Sequence, residues 1–171
     1  MRLAIPAALL TGLMATPSLA ADLNVSLTIP TLKVAEYHRP YVAVWVETPD
    51  QNAVKTLAVW YDTKLAKREG ETWLKDMRQW WRRAGREMKM PVDGVTGATR
   101  APGKHQLVFK GGASPLGALP PGQYNLVVEA AREVGGRELL RAPFQWPPAK
   151  AATASTNGAS ELTSITVSTK P

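Results

Sequence analysis

The sequence contains no cysteine and only two histidines, His38 and His105. Without cysteine the chain cannot form disulfides, thiolate metal sites, iron–sulfur clusters or a Cys-x-x-Cys-His haem attachment. Two histidines that are far apart in sequence argue against a histidine-rich metal centre and against a hydrolytic triad. We therefore expect no metal site and no catalytic residues, and any redox chemistry requires an organic cofactor.

The sequence also lacks an apolar run long enough to span a membrane. Residues 1–20 have a basic head at Arg2, a short apolar stretch broken by prolines, and small residues at Ser18 and Ala20. This pattern is typical of a secretory signal cleaved after Ala20, and a permanent N-terminal anchor is the less favoured alternative. We expect an exported, periplasmic protein that does not span the membrane, with residues 21–171 as a single domain.

The composition is that of a globular domain with a basic surface. Hydrophobic residues make up 44% of the 171 residues, charged residues make up 20%, and the formal net charge is +7. A basic charge favours anionic partners but does not identify them. Nucleic acid is disfavoured as a partner, because an exported chain seldom meets it.

Alternating apolar residues predict about seven β-strands and a mainly β fold. Turn signals occur at the spacing of an immunoglobulin-like or related β-sandwich with one inserted amphipathic α-helix. Pro143 predicts that its strand lies at a sheet edge or bends there, and Gly135-Gly136 predicts a two-residue hairpin connection. Residues 149–160 are of low complexity and are expected to be flexible. The predicted strands cover residues 23–29, 41–47, 54–61, 104–110, 124–130, 137–146 and 162–169.

One segment, residues 72–84, has helical rather than strand periodicity. Its apolar residues form a single stripe, and basic residues occupy the other side. We interpret Trp73 and Trp80 as covering a face or an end of the sheet. An alternative for one ring, Trp81 in particular, is stacking on a planar ligand. The stripe consists of Trp73, Leu74, Met77, Trp80, Trp81 and Ala84.

The segment Asp93-Gly94-Val95-Thr96-Gly97-Ala98-Thr99 has the sharpest chemical signature in the chain. Two glycines, two threonines and one carboxylate in so short a segment are typical of an exposed turn. The residue types alone leave two interpretations open, an unmodified surface turn and a loop that carries a cofactor.

The same segment resembles the flavinylation motif Asp-x-x-Ser/Thr-Gly-Ala-Thr/Ser, found in flavin-carrying subunits of sodium-pumping quinone reductases. In those proteins a flavin transferase links the phosphate of flavin mononucleotide (FMN) to the last hydroxyl residue as a phosphodiester. The resemblance implies that Thr99 bears the flavin. It also implies that Asp93, Thr96, Gly97 and Ala98 form the turn that the transferase recognises.

The residue types suit such a modification. A hydroxyl is a poor nucleophile until it is activated, so the transferase must approach closely, and Gly97 and Ala98 leave room for it. The phosphodiester keeps one negative charge, and Arg100 and Lys104 are close enough in sequence to balance it. The tryptophan-rich helix is a candidate surface for the flavin ring.

A second resemblance covers most of the chain after residue 20. Segments around residues 38–45, 56–62, 80–82, 93–103 and 129–133 are similar to a periplasmic bacterial family, domain of unknown function 2271. The resemblance implies a small exported protein that is often associated with membrane-bound redox components. It implies no established activity.

Two functions are compatible with these observations. The first is a periplasmic electron carrier, not an enzyme, with covalent FMN on Thr99, loaded by a flavin transferase and exchanging electrons with a membrane redox protein. The second is a non-catalytic β-sandwich that binds a partner through its basic, tryptophan-rich face, including Arg78, Arg82 and Arg86.

Overall fold

Two β-sheets packed face to face form the body of the molecule in the computed structural model, which describes residues 21–171. The predicted signal peptide, residues 1–20, lies outside the described residues. The first sheet has the strand order β5-β1-β9-β8 and the second has the order β4-β3-β2-β6-β7. The strands are β1 Asp22–Ile29, β2 Tyr41–Glu47, β3 Ala53–Tyr61, β4 Thr96–Ala98, β5 Gly103–Lys110, β6 Gly122–Ala131, β7 Arg137–Trp146, β8 Ala152–Asn157 and β9 Ser164–Lys170.

The main hydrophobic core lies between the two sheets and follows the alternation of the sequence. Leu23 and Leu27 of β1 are fully buried there, as are Leu126 of β6 and Ile165 of β9. Alternate residues of a strand point to opposite faces of its sheet, so each strand contributes every second side chain to this core. The predicted mainly β sandwich is confirmed, with Pro143 in β7 at the edge of the second sheet.

The second sheet is covered on both sides. We call the side toward the first sheet its inner face and the opposite side its outer face. On β2, Val44 packs into the main core, whereas the neighbouring Trp45 packs into a second hydrophobic cluster on the outer face. Both side chains are fully buried, which explains why β2 is apolar at successive positions.

The outer face is covered by an insertion, residues 62–95, that joins β3 to β4. It contains a 3₁₀ helix at Ala66–Asp76, a short α-helix, α1, at Arg78–Arg83, and a 3₁₀ turn at Gly85–Glu87. Leu74, Met77 and Trp80 of the insertion are buried against the sheet.

The predicted single helix over residues 72–84 is therefore wrong in detail, since the helical path is broken at Met77. Its φ and ψ of −77° and 70° are not helical. The carboxylate of Glu129, fully buried on β6, accepts hydrogen bonds from the backbone N–H groups of Gln79 (3.1 Å) and Trp80 (2.7 Å). A buried carboxylate at the start of α1 satisfies donors that a helix leaves unpaired in its first turn.

Two further predictions need correction. Residues 149–160 contain strand β8, which pairs with β9 through backbone hydrogen bonds, so this segment is not a flexible excursion. Hydroxyl pairs Thr153–Ser168 (2.9 Å) and Ser155–Thr166 (2.8 Å) cross the same strand pair. The β6–β7 connection contains five residues, 132–136, rather than two. Strands β4 and β8 bring the count in the described residues to nine, against about seven predicted.

Candidate functional site

The segment predicted to be an exposed turn is part turn and part strand. Asp93 is exposed, and Gly94 has a φ of 72°, a left-handed conformation that glycine adopts without strain. The backbone N–H of Val92 donates to the hydroxyl oxygen of Thr96 at 2.8 Å, and the N–H of Thr96 donates to the carbonyl of Val92 at 2.9 Å. The side chain of Thr96 therefore holds the turn closed.

Residues 96–98 form β4, which pairs in parallel with the end of β3 at the edge of the second sheet. The backbone N–H of Thr99, just past β4, donates to the carbonyl of Tyr61 at 3.2 Å. Thr99 is half-buried and Ala98 is exposed. The sheet thus fixes the backbone of the candidate modified residue.

Gly97 lies against the indole of Trp60, a buried residue of the main core. A Cβ atom at position 97 would lie 3.1 Å from Cδ1 of Trp60, which is a tight contact with a side chain that cannot move easily. The structural reason for glycine at this motif position is therefore the close approach of β4 to Trp60.

Ala98 and Thr99 open onto a groove with a volume of about 1140 Å³. The groove lies at one end of the second sheet, where β3 and β4 end, β2 begins, and β6 turns into β7. Strand register places Tyr61 beside Ala98, Tyr41 beside Ala131, and Ala131 beside Arg137. Asp93, Thr96 and Gly97 are not among the residues that line the groove. The structure thus brings Ala98 and Thr99, of the five candidate residues, to the groove.

Three aromatic side chains line the groove, Tyr37, Tyr41 and Trp73. Trp73 is 47% exposed, which contradicts its interpretation as a residue that covers the sheet. The hydroxyl of Tyr41 donates to the carbonyl of Gly70 at 3.1 Å and so ties the start of β2 to the insertion. The groove consequently has an exposed indole on its insertion side.

The other two tryptophans of the helical stripe differ from Trp73. Trp80 is fully buried, as expected for a residue that covers the sheet, and its indole N–H donates to the hydroxyl of Thr56 at 3.1 Å. Trp81 packs against the outer-face cluster with its ring centroid 6.2 Å from that of Trp80. Trp81 is not among the described residues that line the groove, so Trp73 is the better-placed ring for a planar ligand.

Charges around the groove nearly balance. Neither Arg100 nor Lys104, the predicted phosphate partners, is among the described residues that line it. The guanidinium of Arg100 stacks on Trp60, with Cζ 4.0 Å from the ring centroid, and Lys104 lies on β5 opposite Thr28 in the first sheet. The basic residues of the groove are Arg39, Lys64, Arg78, Arg132 and Arg137, and its acidic residues are Asp62, Glu69, Asp76 and Glu133.

Burial changes the protonation behaviour of the tyrosines here. Burial raises the pKa of Tyr37, and burial likewise raises the pKa of Tyr41. Both phenols therefore stay protonated at neutral pH, and each has a proton to donate in a hydrogen bond.

The histidines lie in different surroundings. His38 lines the groove, with Nε2 2.8 Å from Glu36 and Nδ1 3.5 Å from Glu133. His105 contacts the carbonyl of Ala101 at 2.8 Å. Among residues 21–171, no cluster of three or more acidic or histidine side chains is arranged to hold a metal ion, and no helix is long and apolar enough to cross a membrane.

Family membership follows from a match between residues 22–164 and the family model DUF2271, described as a predicted periplasmic protein. The chain belongs to this family. No curated protein and no solved structure matches the chain. The match covers β1 to the start of β9, and so includes the groove and residues 93–99.

Sequence reasoning did not identify Tyr37, Trp73 or Arg132 as groove residues. Trp73 belongs to the apolar stripe, and the periodicity does not show that it lies in a 3₁₀ helix, separated from α1 by the break at Met77. Tyr37 precedes β2 in an irregular segment, and Arg132 lies in the β6–β7 connection. Tyr37 and Arg132 come together because the start of β2 and the end of β6 are adjacent in the sheet, so predicting this contact requires the strand order to be known.

Proposed function

We propose that the protein is a periplasmic flavoprotein that carries electrons by means of FMN bound covalently to Thr99. The observation that carries this proposal is the position of Thr99, on a rigid strand end at the wall of a large groove with an exposed indole. FMN supplies reversible electron transfer when bound. The protein's part is to hold it, shield it and orient it.

The groove fits a tethered flavin in size and chemistry. Its volume of about 1140 Å³ lies just above the usual range for small-molecule sites, so a flavin has room in it. Trp73 offers a planar apolar surface on which an aromatic ring system can stack. Lys64 and Arg78, both on the groove, are available to balance the phosphodiester, in place of Arg100 and Lys104.

The attachment is a phosphoryl transfer to a hydroxyl. The Oγ1 atom of Thr99 forms a bond to the flavin-side phosphorus of a flavin dinucleotide, the donor class that supplies a leaving group. The pyrophosphate bond breaks, a nucleoside monophosphate leaves, and the hydroxyl proton passes to a base of the transferase. No oxidation or reduction occurs in this step. Asp93, exposed at the far side of the turn, is available to the transferase without competing for the groove.

A membrane-bound redox protein is the proposed electron partner. Exposed basic side chains lie on α1 and on the residues just before and after it, and they suit a partner with an acidic docking surface. Arg78 belongs both to this basic surface and to the groove. The basic surface consists of Lys75, Arg78, Arg82, Arg83, Arg86 and Lys89.

Intact mass spectrometry of protein made with a flavin transferase tests the attachment. We expect a mass increase equal to one FMN minus water, together with yellow colour that survives denaturation. Thr99→Ala should abolish the adduct, and Thr99→Ser, which keeps a hydroxyl, should retain it. An unmodified wild-type mass, or an adduct that persists in Thr99→Ala, contradicts the proposal.

The basic surface also supports a second candidate, a colourless module that binds an acidic partner. In that case binding of an acidic envelope fraction depends on Arg82 and Arg86, which are exposed, and is unaffected by Thr99→Ala. Raising the salt concentration should weaken this binding, because exposed charges are screened. If the wild-type protein carries no flavin and partner binding is unaffected by Thr99→Ala, the binding module is favoured over the electron carrier.

A further inference from the structure

Arg132 is held rigidly at the groove by a buried carboxylate. Its Nε and Nη2 atoms donate to the two oxygens of Glu161 at 2.9 and 3.1 Å. The backbone N–H of Gly136 donates to the same carboxylate at 2.8 Å. The side chains of Arg132 and Glu161 are only 6% and 4% exposed, so the guanidinium has one fixed orientation.

Four buried side-chain polar atoms have no partner among the described residues, and two of them belong to residues that line the groove. These two are Nη1 of Arg132 and the hydroxyl oxygen of Tyr37, and both are buried. The Cζ atom of Arg132 is 6.0 Å from the centroid of the Tyr37 ring, and both residues line the groove. Buried polar groups in proteins almost always have partners, so two neighbouring exceptions at a groove point to a ligand.

The chemistry of these two atoms defines the group they would bind. Arg132 can only donate, and the hydroxyl of Tyr37, protonated because burial raises the pKa of this group, can also donate. Glu161 already neutralises the charge of Arg132. Two donors on a neutralised pair suit a carbonyl oxygen better than a free phosphate.

The distance from Thr99 suits the far end of a flavin. Thr99 follows β4, and Arg132 follows β6, three strands away in the order β4-β3-β2-β6. Strands in a sheet are about 4.8 Å apart, which places the two residues on the order of 14 Å apart across the groove. A sugar-alcohol chain joined to a three-ring system has about this reach.

We infer that Arg132 Nη1 and the Tyr37 hydroxyl bind the pyrimidine carbonyl edge of the flavin ring tethered to Thr99. The inference rests on the proposed function, because the tether determines which ligand occupies the groove. Donors at this edge stabilise the electron-rich reduced ring more than the oxidised ring, and so raise the reduction potential.

Tyr37→Phe is the most selective variant, because it removes a hydroxyl that has no partner in the described chain. In the flavin-free protein the melting temperature should be unchanged or higher, since an unsatisfied buried group is lost. In the flavin-loaded protein the visible absorption band should shift and the midpoint potential should become more negative. Tyr124→Phe is the control, because the Tyr124 hydroxyl donates to the carbonyl of Pro120 at 2.8 Å and lies in the main core.

A second experiment separates this inference from the proposed function. Lumiflavin, which has the ring but no phosphate, is titrated into the Thr99→Ala protein, and binding is followed by fluorescence quenching. Adding Tyr37→Phe should weaken lumiflavin binding about fivefold, the effect of losing one hydrogen bond. Tyr124→Phe should leave the affinity unchanged.

Equal lumiflavin affinities with and without the Tyr37 hydroxyl overturn the inference, even where mass spectrometry shows flavin on Thr99. Absence of lumiflavin binding by the Thr99→Ala protein overturns it as well. A third outcome combines the two experiments: lumiflavin binding to the Thr99→Ala protein depends on Tyr37, and the wild-type protein made with a flavin transferase carries no flavin. This outcome supports the ring site and overturns the covalent tether.

Discussion

The two faces of the second sheet are built from different chemistry. The inner face presents aliphatic residues such as Val44 and Leu126 to the main core. The outer face also buries two carboxylates, Glu47 and Glu129, each fully inaccessible to solvent. Arg141 and Arg137 bind them at 2.6 and 2.8 Å. The inner face is held by apolar packing, and the outer face depends in addition on charges that must be paired.

The two faces therefore contribute differently to stability and to the candidate site. A wholly apolar interface closes against its partner sheet and leaves no opening. The outer face carries polar groups that fix individual segments, such as α1 through Glu129, and leaves the groove at one end of the sheet. The candidate site lies where the outer cover stops.

Glu129→Ala should have the largest effect, a loss of about 4 kcal/mol in the free energy of unfolding, because it leaves Arg137 and two backbone N–H groups without their acceptor. Urea denaturation gives the total loss, and hydrogen exchange should show residues 62–95 opening before the strands. Glu133→Ala, at an exposed position, is the control and should change stability by less than about 0.5 kcal/mol. Uniform loss of protection across both sheets would contradict the proposed role of Glu129.

Leu126→Ala tests the inner face and should cost about 3 kcal/mol, because a fully buried leucine leaves a cavity between the sheets. Here the loss should be global, so that hydrogen exchange in β1, β2 and β6 accelerates together. Opening confined to the insertion after this substitution would remove the distinction between the two faces.

The same division explains what the sequence could predict. Alternation predicts β1, because its buried side chains recur with a period of two, and a continuous apolar run predicts β2, because that strand is buried on both faces. Strand β8 was missed, since its alanines, threonines and serines are mostly exposed and its stability comes from pairing with β9. That Thr99 carries a cofactor stays a prediction from the motif at 93–99. Tyr37 and Arg132 reach the same groove through the strand order, which no local pattern encodes, and Trp73 reaches it from the insertion.

Gly97→Ala tests the edge strand β4 and should cost about 1 kcal/mol, because the new methyl group meets the buried indole of Trp60 at 3.1 Å. Thermal unfolding measures the loss, and the Trp60 fluorescence environment should change with it. A Gly97→Ala protein as stable as the wild type would show that β4 moves away from Trp60 at no cost. In that case the extent of flavinylation of the Gly97→Ala protein, measured by intact mass, would show whether the transferase itself requires glycine at this position.

The pH dependence of stability tests the hydrogen bonds that the carboxylate of Glu138, on the edge strand β7, accepts. Burial acts to raise the pKa of its carboxyl group, but the backbone N–H groups of Ala159, Leu162 and Ser160 outweigh it and lower the pKa below 4.5. These bonds therefore stabilise the fold fully above pH 4.5, and the stabilisation is lost as the pH falls through the lowered value.

For Glu138→Gln we expect a loss of about 1 kcal/mol at neutral pH. The difference from wild type should shrink as the pH is lowered below 4.5. Urea unfolding at several pH values measures it. A difference that is constant with pH would show that the charge on Glu138 contributes nothing to these bonds.

Trp73→Ala should have the smallest effect on stability, within about 0.5 kcal/mol, because the indole is 47% exposed. Trp80→Ala, its matched control in the same insertion, should cost about 4 kcal/mol, because that indole is fully buried and donates to Thr56. When lumiflavin binding is measured instead of stability, Trp73→Ala should have the larger effect of the two variants. Trp73→Ala should weaken lumiflavin binding to the Thr99→Ala protein about tenfold, the loss of one aromatic stacking contact. Unchanged affinity in the Trp73→Ala protein would show that the exposed indole does not contact the ligand, and would leave Tyr37 and Tyr41 as the aromatic rings of the groove.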